Sequence, residues 1–431
     1  MKKTIIIGGG ITGLVAAYKL APNVILLEKE KELGGLLASY RISNFFIEKY
    51  YHHFFVGDKS LIFLLKELGL EKRIVWKVAK VGYFFERKIY PLNTPIEILS
   101  FPFLGFLDKI KLAFFTLRSK LEKPEKFDEI LAKDLILKTC GKRVLDNFFL
   151  PLLKSKFGEN YEKISAAWLI GRVALRAHRG LKGERLGYLK GGFQSLIEFL
   201  GKAIEKRGGE IKTAFDVSKI IVKDGKVKGV IGNNEFLPAD RIISTVGPQT
   251  LKKIIEPELL KLDNSFQYQG IACLLLSLKT NLLKDIYWLN IKANVPFGAV
   301  IEHTNFLPFS DYGEHLIYLV SYFQNPHDPL WRLPEEKVVE LYLKGLKKIF
   351  PDFKESNIQW WRLSCHLEAG PIYEKGYKSK IIHYATPIEG FYLAGMFSQP
   401  NYPERSINGS IQAGLKVAEF LSLHQNSNVL Q

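Results

Sequence analysis

The chain opens with a hydrophobic pattern that predicts a compact βαβ unit. Residues 4–7 form a β-branched run that is typical of a buried parallel strand. A glycine-rich turn follows at 8–13, and residues 14–20 have the apolar spacing of a helix. A second apolar strand at 24–27 completes the unit and leads directly into Glu28.

Helical and strand-like patterns alternate along the rest of the chain. Apolar periodicity predicts helices at 58–69, 126–139, 142–153, 165–178, 335–349 and 406–421. Short β-rich runs predict extended chain at 211–222, 226–231, 241–246, 271–278, 316–322 and 390–394. Asp224-Gly225, between two of these runs, indicates a hairpin because both residues tolerate positive φ. Together these elements favour an α/β fold.

Residues 96–120 combine an almost wholly apolar run with basic side chains. Positions 98–107 include two phenylalanines, and the following stretch contains Phe114, Phe115, Leu117, Lys109, Lys111, Arg118 and Lys120. Over 98–118 this pattern fits a helix that lies in the surface of an anionic membrane. It fits equally a buried helix whose lysines extend to solvent. No run of 18 uncharged apolar residues exists, so no membrane-spanning helix is predicted.

Composition limits the classes of protein that the chain can form. With 431 residues, two or more domains are expected. The hydrophobic share of 47% and the charged share of 24% are those of a globular protein. The formal charge of +17 favours contact with anions, but no basic cluster with interleaved aromatics marks a nucleic-acid groove. We therefore expect no nucleic-acid partner.

The three cysteines are Cys140, Cys273 and Cys365, far apart and odd in number. They form neither a disulfide framework nor a metal-binding pair. A reduced, cytoplasmic location is expected, at the inner face of the membrane if 98–118 binds lipid. No metal site is predicted, because no cluster of ligands has a suitable spacing.

The glycines of the first turn have the spacing of a dinucleotide-binding motif. Gly8 would make the tight turn, Gly10 would let the backbone approach a pyrophosphate, and Gly13 would let helix and strand pack closely. Free N–H groups at the helix start would bind the phosphates. Glu28 follows Gly8 by 20 positions, where a carboxylate binds the ribose hydroxyls. A carboxylate there disfavours NADP.

Further segments resemble the flavin amine oxidase superfamily, which includes protoporphyrinogen oxidases and phytoene desaturases. The segment 28–35 is similar to its FAD signature, in which a second glycine pair, here Gly34-Gly35, follows the glutamate. The similar segments farther along the chain are 191–196, 213–220, 239–245, 361–362, 371–373, 391–395 and 406–414. This collinear resemblance implies FAD rather than NAD as the cofactor.

The resemblance also implies which residues contact FAD. They are Gly8, Gly10, Ile11, Thr12, Gly13, Glu28, Lys29, Gly34, Gly35, Leu36, Val217, Gly395, Met396, Ser406 and Ile407. Two positions depart from the family pattern. Leu36 stands where the family usually has arginine, and Met396 stands where it often has an acidic residue.

The fold class implied is α/β, with a Rossmann-like, discontinuous FAD-binding domain of the GR2 type and a second, mixed α+β substrate domain. We expect the FAD-binding domain to be built from 1–75, 185–250 and 360–431. The substrate-binding domain would then consist of 76–184 and 251–359.

Two adjacent histidines, His52 and His53, lie among aromatic residues after the second glycine pair. In the superfamily this segment tends to run beside the flavin ring. Because histidine titrates near neutrality, either could move a proton during oxidation. The alternative is that one faces the core and the other faces water, as neighbours on a strand do.

The leading hypothesis for function is an FAD-dependent oxidoreductase that abstracts a hydride from a C–H or C–N bond of a small, apolar substrate. One alternative is a redox-neutral flavoenzyme similar to UDP-galactopyranose mutase or to a double-bond isomerase. Another is a prenyl-lipid carrier without flavin. The sequence leaves the substrate, the electron acceptor and the oligomeric state open.

Overall fold

The structure is a computed structural model that describes residues 2–176, 183–261 and 266–426. The strands are β1 (Thr4–Ile7), β2 (Val24–Leu27), β3 (Ser39–Ile42), β4 (Phe45–Glu48), β5 (Phe54–Phe55), β6 (Ile74–Ala79), β7 (Val81–Phe85), β8 (Lys88–Pro91), β9 (Glu184–Leu189), β10 (Glu210–Lys212), β11 (Val217–Lys223), β12 (Lys226–Gly232), β13 (Glu235–Pro238), β14 (Arg241–Ser244), β15 (Tyr268–Leu278), β16 (Trp288–Ile291), β17 (Ala299–Glu302), β18 (His315–Phe323), β19 (Ile358–Pro371) and β20 (Phe391–Leu393).

The helices are α1 (Ile11–Leu20), α2 (Lys59–Glu67), α3 (Pro95–Leu99), α4 (Phe106–Ser119), α5 (Ala132–Thr139), α6 (Lys142–Val144), α7 (Leu150–Phe157), α8 (Ala166–Arg176), α9 (Gln194–Lys206), α10 (Pro248–Ile254), α11 (Pro329–Arg332), α12 (Glu335–Ile349) and α13 (Ile407–Asn426). A π-helical segment, Leu145–Phe149, joins α6 to α7.

The Rossmann-like core is a five-stranded parallel sheet in the order β10-β2-β1-β14-β20. The helices α1, α9 and α13 cover one face, where Ile6 and Leu26 join their core. On the other face, Ile5 and Leu27 share a core with Val230 of the antiparallel sheet β11-β12-β13. Both faces are buried, which explains why β1 and β2 are continuous apolar runs.

A seven-stranded mixed sheet forms the second large layer, in the order β19-β15-β18-β17-β16-β7-β8. Every residue of β15 is buried. Leu274 and Leu276 pack with α12, whereas Cys273 and Leu275 face the core shared with the Rossmann-like part. Alternate residues of β15 therefore serve two different layers.

The division of the chain into domains stays a prediction, and the sheets indicate one refinement. The expected boundary at residue 360 falls inside β19, which pairs along its length with β15 of the seven-stranded sheet. The next strand of the Rossmann-like sheet is β20. A boundary after Pro371 would keep all strands of the seven-stranded sheet in one domain and all strands of the Rossmann-like sheet in the other.

Most predicted elements are confirmed, with differences at their ends. The helix at 335–349 has the predicted bounds, and the Asp224-Gly225 hairpin has φ of 56° and 70°. The first helix starts earlier than predicted, at Ile11, directly after Gly10. The predicted helix 126–139 begins only at Ala132, because Pro124–Phe127 forms a short 3-10 turn. Positions 177 and 178 of the predicted helix 165–178 lie outside the described residues.

The described part of the chain contains no helix that is both long enough and apolar enough to cross a membrane. The three cysteines are free thiols, as predicted.

Candidate functional site

The first glycine turn packs helix α1 directly against strand β1. Gly8 has a φ of 107°, which favours glycine. A Cβ on Gly13 would lie 2.0 Å from the carbonyl oxygen of Gly8, so only glycine fits at this contact. A Cβ on Gly10 would meet no protein atom within 4 Å, and its backbone is open to a cavity. Gly13 thus supports the turn by packing, and Gly10 lines the space beside it.

The second glycine pair lies against the first turn. The N–H of Gly34 donates to the carbonyl oxygen of Gly9 at 2.9 Å, and Gly10 and Gly34 form an isolated parallel bridge. A Cβ on Gly35 would lie 3.3 Å from the Cα of Gly10. Both members of the pair have positive φ, 118° and 56°. Two stretches of bare backbone therefore border the same part of the cavity.

Glu28 is buried at the end of β2, where its carboxylate accepts two backbone hydrogen bonds. Oε2 accepts from the N–H of Gly9 at 2.6 Å, and Oε1 accepts from the N–H of Glu30 at 3.0 Å. Because each carboxylate oxygen has two lone pairs, it can also accept from a ribose hydroxyl. The two backbone contacts fix the carboxylate at the wall of the cavity.

The C-terminal motif lies in contact with the N-terminal one. The hydroxyl of Thr12 in α1 donates to the carbonyl oxygen of Ser410 in α13 at 3.0 Å. A Cβ on Gly414 would lie 2.6 Å from the carbonyl oxygen of Thr12, so the two helices are in backbone contact. The start of α13 therefore faces the same cavity as the start of α1.

One large cavity runs past these elements, with a volume of about 1860 Å³. Small-molecule sites usually measure roughly 300–1,000 Å³, so the space exceeds that of a single ordinary ligand. Of the predicted FAD contacts, those that line it are Gly8, Gly10, Ile11, Thr12, Glu28, Lys29, Gly34, Gly35, Leu36, Val217, Gly395, Met396, Ser406 and Ile407. Gly13 alone among these predicted contacts does not line the cavity, because it lies behind the turn.

Both predicted histidines line the cavity as well. Residues 51–53 lie outside any strand, which explains why neighbouring side chains can face the same space. His52 Nδ1 donates to the carbonyl oxygen of Tyr50 at 2.6 Å, and His53 Nδ1 lies 3.1 Å from the hydroxyl of Tyr287. Burial lowers the pKa of His52 to about 4, so this ring is neutral near pH 7. His52 is therefore better suited to hydrogen bonding than to taking up a proton.

The far end of the cavity is apolar and reaches the surface. Leu112, Phe148, Phe149, Leu152 and Leu153 line this arm, which lies among α4, the π-helical segment and α7. Its outer rim is formed by side chains of α3 and α4. These include Leu99, Lys109, Leu117 and Lys120.

Sequence patterns did not single out four charged residues of the cavity wall. They are Lys156, Arg172, Glu404 and Arg405. Lys156 and Arg172 lie on helices without a recognisable motif, so nothing in the sequence marked them. Arg405 immediately precedes Ser406 of the second FAD motif, and this neighbourhood is the feature of the sequence that could have identified it as a cavity residue. The described residues contain no group of three or more side chains that could hold a metal ion.

The residues present fit a bound dinucleotide. Bare glycine backbone lies beside the N-terminus of α1, where N–H groups suit a pyrophosphate, and the carboxylate of Glu28 would suit the ribose hydroxyls. The N-terminus of α13 opens onto the same cavity, where its positive dipole end favours negative charge on a flavin ring. A Rossmann-like sheet with these two motifs defines the class of FAD-dependent flavoenzymes.

The family follows from comparison with known proteins. The profile of the flavin containing amine oxidoreductases matches residues 11–421. The chain belongs to this family and is an FAD-dependent oxidoreductase.

Two relatives illustrate the range of the family. The chain is 25% identical over 466 residues to the chloroplastic/chromoplastic 15-cis-phytoene desaturase of Solanum lycopersicum, covering 97% of this chain and 77% of the relative. It is 27% identical over 274 residues to the coproporphyrinogen III oxidase of Staphylococcus aureus, covering 54% of this chain and 58% of the relative.

Solved structures share the fold. An oxidoreductase from Methanosarcina mazei superposes with a TM-score of 0.75 at 19% identity, covering 97% of this chain and all 100% of that one. A triple mutant of putrescine oxidase superposes with a TM-score of 0.72 at 15% identity, covering 98% and 99%. Reduced UDP-galactopyranose mutase also matches, with a TM-score of 0.74 at 17% identity and coverage of 98% and 94%. At these identities the likeness concerns the fold alone.

Proposed function

We propose that the enzyme removes a hydride from a C–H or C–N bond of a lipophilic substrate held in the apolar arm of the cavity. The observation that supports this most is the continuity of the cavity. The same cavity is lined by the glycine turns, by His52 and His53, and by Phe148 and Leu152 of the apolar arm. A substrate in that arm would share the cavity with the flavin.

When bound, FAD supplies the acceptor for the hydride. In our proposal the predicted contact residues hold the cofactor, and the wall around the histidines positions the substrate. The rings of Tyr51 and Trp288 meet edge to face with centroids 5.0 Å apart, and His53 packs against Trp288 at 5.9 Å. These aromatic side chains would exclude water from the reacting bond.

We also propose that α3 and α4 dock onto an anionic membrane surface. Several large apolar side chains there are exposed: Ile96, Leu99, Phe106, Leu107, Ile110, Phe114, Leu117 and Leu121. Lys111 and Lys120 are exposed on the same segment, and their charge complements anionic headgroups. Leu99 and Leu117 belong to both this surface and the rim of the apolar arm. A lipophilic substrate would pass from the bilayer into the cavity without crossing water.

A spectroscopic experiment tests the oxidoreductase proposal. The purified protein is examined for flavin absorbance, denatured to identify the released cofactor, and mixed anaerobically with polyenes, reduced tetrapyrroles and amines. We expect the flavin to bleach with a polyene or a reduced tetrapyrrole and to regain colour with an acceptor. Product formation without any acceptor would support the redox-neutral alternative. A protein that takes up no FAD but binds prenyl chains would support the carrier alternative.

A further inference from the structure

We propose that the cavity contains a subsite for an oxyanion of the substrate, a carboxylate or a phosphate, formed by Arg405 together with Lys156 and Arg172. This inference rests on the proposed function, because it specifies part of the same substrate. It describes an amphipathic molecule, with an acidic group near the flavin position and a hydrocarbon body in the apolar arm.

Lys156 and Arg172 share a single carboxylate, that of Glu404. Oε1 of Glu404 accepts from Lys156 Nζ at 2.7 Å and from Arg172 at 3.0 Å. Their side chains are 20%, 28% and 13% exposed for Lys156, Arg172 and Glu404, and all three line the cavity. Glu184 also acts electrostatically on Arg172. Lys156 and Arg172 are therefore both engaged by a carboxylate.

Arg405 differs from these two cations. Among the ion pairs of the described residues, none joins its guanidinium to a carboxylate within 4.0 Å, although the charge of the neighbouring Glu404 acts on it at longer range. Arg405 lines the cavity, and its charge acts on both Lys156 and His52. A guanidinium has five N–H donors, and donors away from bulk water are costly without acceptors. A carboxylate or a phosphate supplies two acceptor oxygens in matching geometry.

Gly370 fixes where this guanidinium lies. A Cβ on Gly370 would be 1.9 Å from Nε of Arg405, so the arginine side chain runs directly along the glycine backbone. Any larger residue at 370 would displace it. The tyrosine pair Tyr51 and Tyr322, whose hydroxyls lie 2.7 Å apart, is close enough to act on Arg405 electrostatically. Arg405 is thus held beside hydroxyl groups that also suit an oxyanion.

The wall changes from apolar to cationic along two helices. On α7, Leu152 and Lys156 are four residues apart and share a face, and both line the cavity. On α8, Leu169 and Arg172 repeat the arrangement at a spacing of three. Each helix therefore presents a hydrocarbon-binding position followed by a positive charge. This order matches a substrate whose acidic group points toward Arg405 and whose apolar body extends toward α4.

The test compares three probes that share one hydrocarbon chain: farnesol, farnesyl phosphate and farnesoic acid. Each is titrated into the FAD-loaded protein near pH 7, with binding followed by calorimetry and by perturbation of the flavin spectrum. We expect one of the acids to bind about 10- to 100-fold more tightly than farnesol, as charge-assisted hydrogen bonds to a guanidinium predict. The acid that binds more tightly identifies the oxyanion as phosphate or carboxylate.

Two variants and a matched control locate the effect. Arg405→Met and Lys156→Met should each reduce the preference for the acid and leave farnesol binding unchanged. Lys337→Met, on the exposed surface of α12, should change neither. Thermal unfolding and flavin content are recorded for each protein, and Lys156→Met provides the test if Arg405→Met fails to fold.

Equal binding of acid and alcohol by the unaltered protein would overturn the proposal. So would a preference that survives both substitutions. A changed flavin reduction potential in Arg405→Met, with the preference intact, would assign Arg405 to the cofactor and would also overturn it. If the protein takes up no FAD, the proposed function fails, and calorimetry on the flavin-free protein still decides whether the oxyanion subsite exists.

Discussion

The hydroxyl groups of Tyr51 and Tyr322 lie 2.7 Å apart although the residues are separated by 271 positions. Tyr51 follows the second glycine pair, whereas Tyr322 lies on β18 of the seven-stranded sheet. Both line the cavity. This hydrogen bond joins the Rossmann-like part to the seven-stranded sheet at the cavity wall.

Glu28→Gln should weaken FAD binding. The amide keeps an oxygen for the N–H of Gly9 or Glu30 but loses the negative charge and half of the acceptor capacity. A hydrogen bond to a charged group corresponds to about a 10- to 100-fold change in Kd. Equilibrium dialysis against free FAD measures it. Glu30→Gln is the matched control, because that side chain is 70% exposed, and equal losses in both variants would contradict the role of Glu28.

Gly13→Ala should destabilise the protein and release flavin. The added Cβ would lie 2.0 Å from a backbone oxygen, and such overpacking costs about 1–3 kcal/mol of the free energy of unfolding. Helix propensity alone would make the alanine variant more stable by about 1 kcal/mol. The expected decrease in the free energy of unfolding is therefore opposite to the effect of helix propensity.

The control is Gly201→Ala, within α9. A Cβ there would find its nearest neighbour at 3.8 Å, an ordinary contact. Thermal unfolding should show a lower Tm for Gly13→Ala and an unchanged or higher Tm for Gly201→Ala. An undiminished Tm in Gly13→Ala would mean that α1 can move away from β1 without cost.

Phe114→Ser should weaken binding to vesicles of phosphatidylcholine and phosphatidylglycerol. Phe114 is 65% exposed on α4, and burying a phenylalanine stabilises by about 1.5–3 kcal/mol, or roughly 10-fold or more in partitioning. Sedimentation of the vesicles with bound protein measures the effect. Phe63→Ser, at a residue 61% exposed on α2, is the matched control. Equal partitioning of the two variants, or no dependence on phosphatidylglycerol, would argue against docking through α4.

Glu302→Gln should stabilise the protein at about pH 8 but not at about pH 5. Burial raises the pKa of Glu302 from 4.5 to about 7, against the opposing effect of hydrogen bonds from the N–H groups of Leu282 and Leu283. Burial also lowers the pKa of His315, whose Nδ1 lies 3.8 Å away, so the two are not a charged pair near pH 7. The folded state therefore binds more protons than the unfolded chain between pH 4.5 and 7, and stability falls as the pH rises through this interval.

Thermal unfolding of both proteins across that interval checks the sign. Glutamine retains an acceptor for the two N–H groups and removes the titration. Glu340→Gln is the control, because two lysines lower the pKa of that carboxyl to about 2 and it does not titrate there. A constant difference in Tm between Glu302→Gln and the parent at every pH would refute the prediction.

The geometry of the glycine turn and of Glu28 could be predicted from sequence because it is local. Gly8, Gly13 and Glu28 lie within one short βαβ unit, where spacing alone determines geometry. Such a motif is visible without knowledge of the fold. The same holds for helix 335–349, whose apolar period is uninterrupted.

The charged cluster of Lys156, Arg172 and Glu404 could not be predicted, because its residues meet only through long-range packing. Lys156 and Arg172 lie on different helices and come together at Glu404, more than 200 positions away. Their separate sequence surroundings are those of ordinary surface cations. The alternative in which His52 and His53 alternate between core and water does not fit, since residues 51–53 lie outside any strand and both histidines line the cavity.

The contact between Thr12 and Ser410 has a consequence for biosynthesis. Thr12 and Ser410 are 398 positions apart, so a ribosome completes the two helix starts that border the cavity only after that whole stretch has been translated. Nascent chains halted before α13 should therefore be unable to retain flavin, and cofactor capture should follow translation of these residues rather than accompany it.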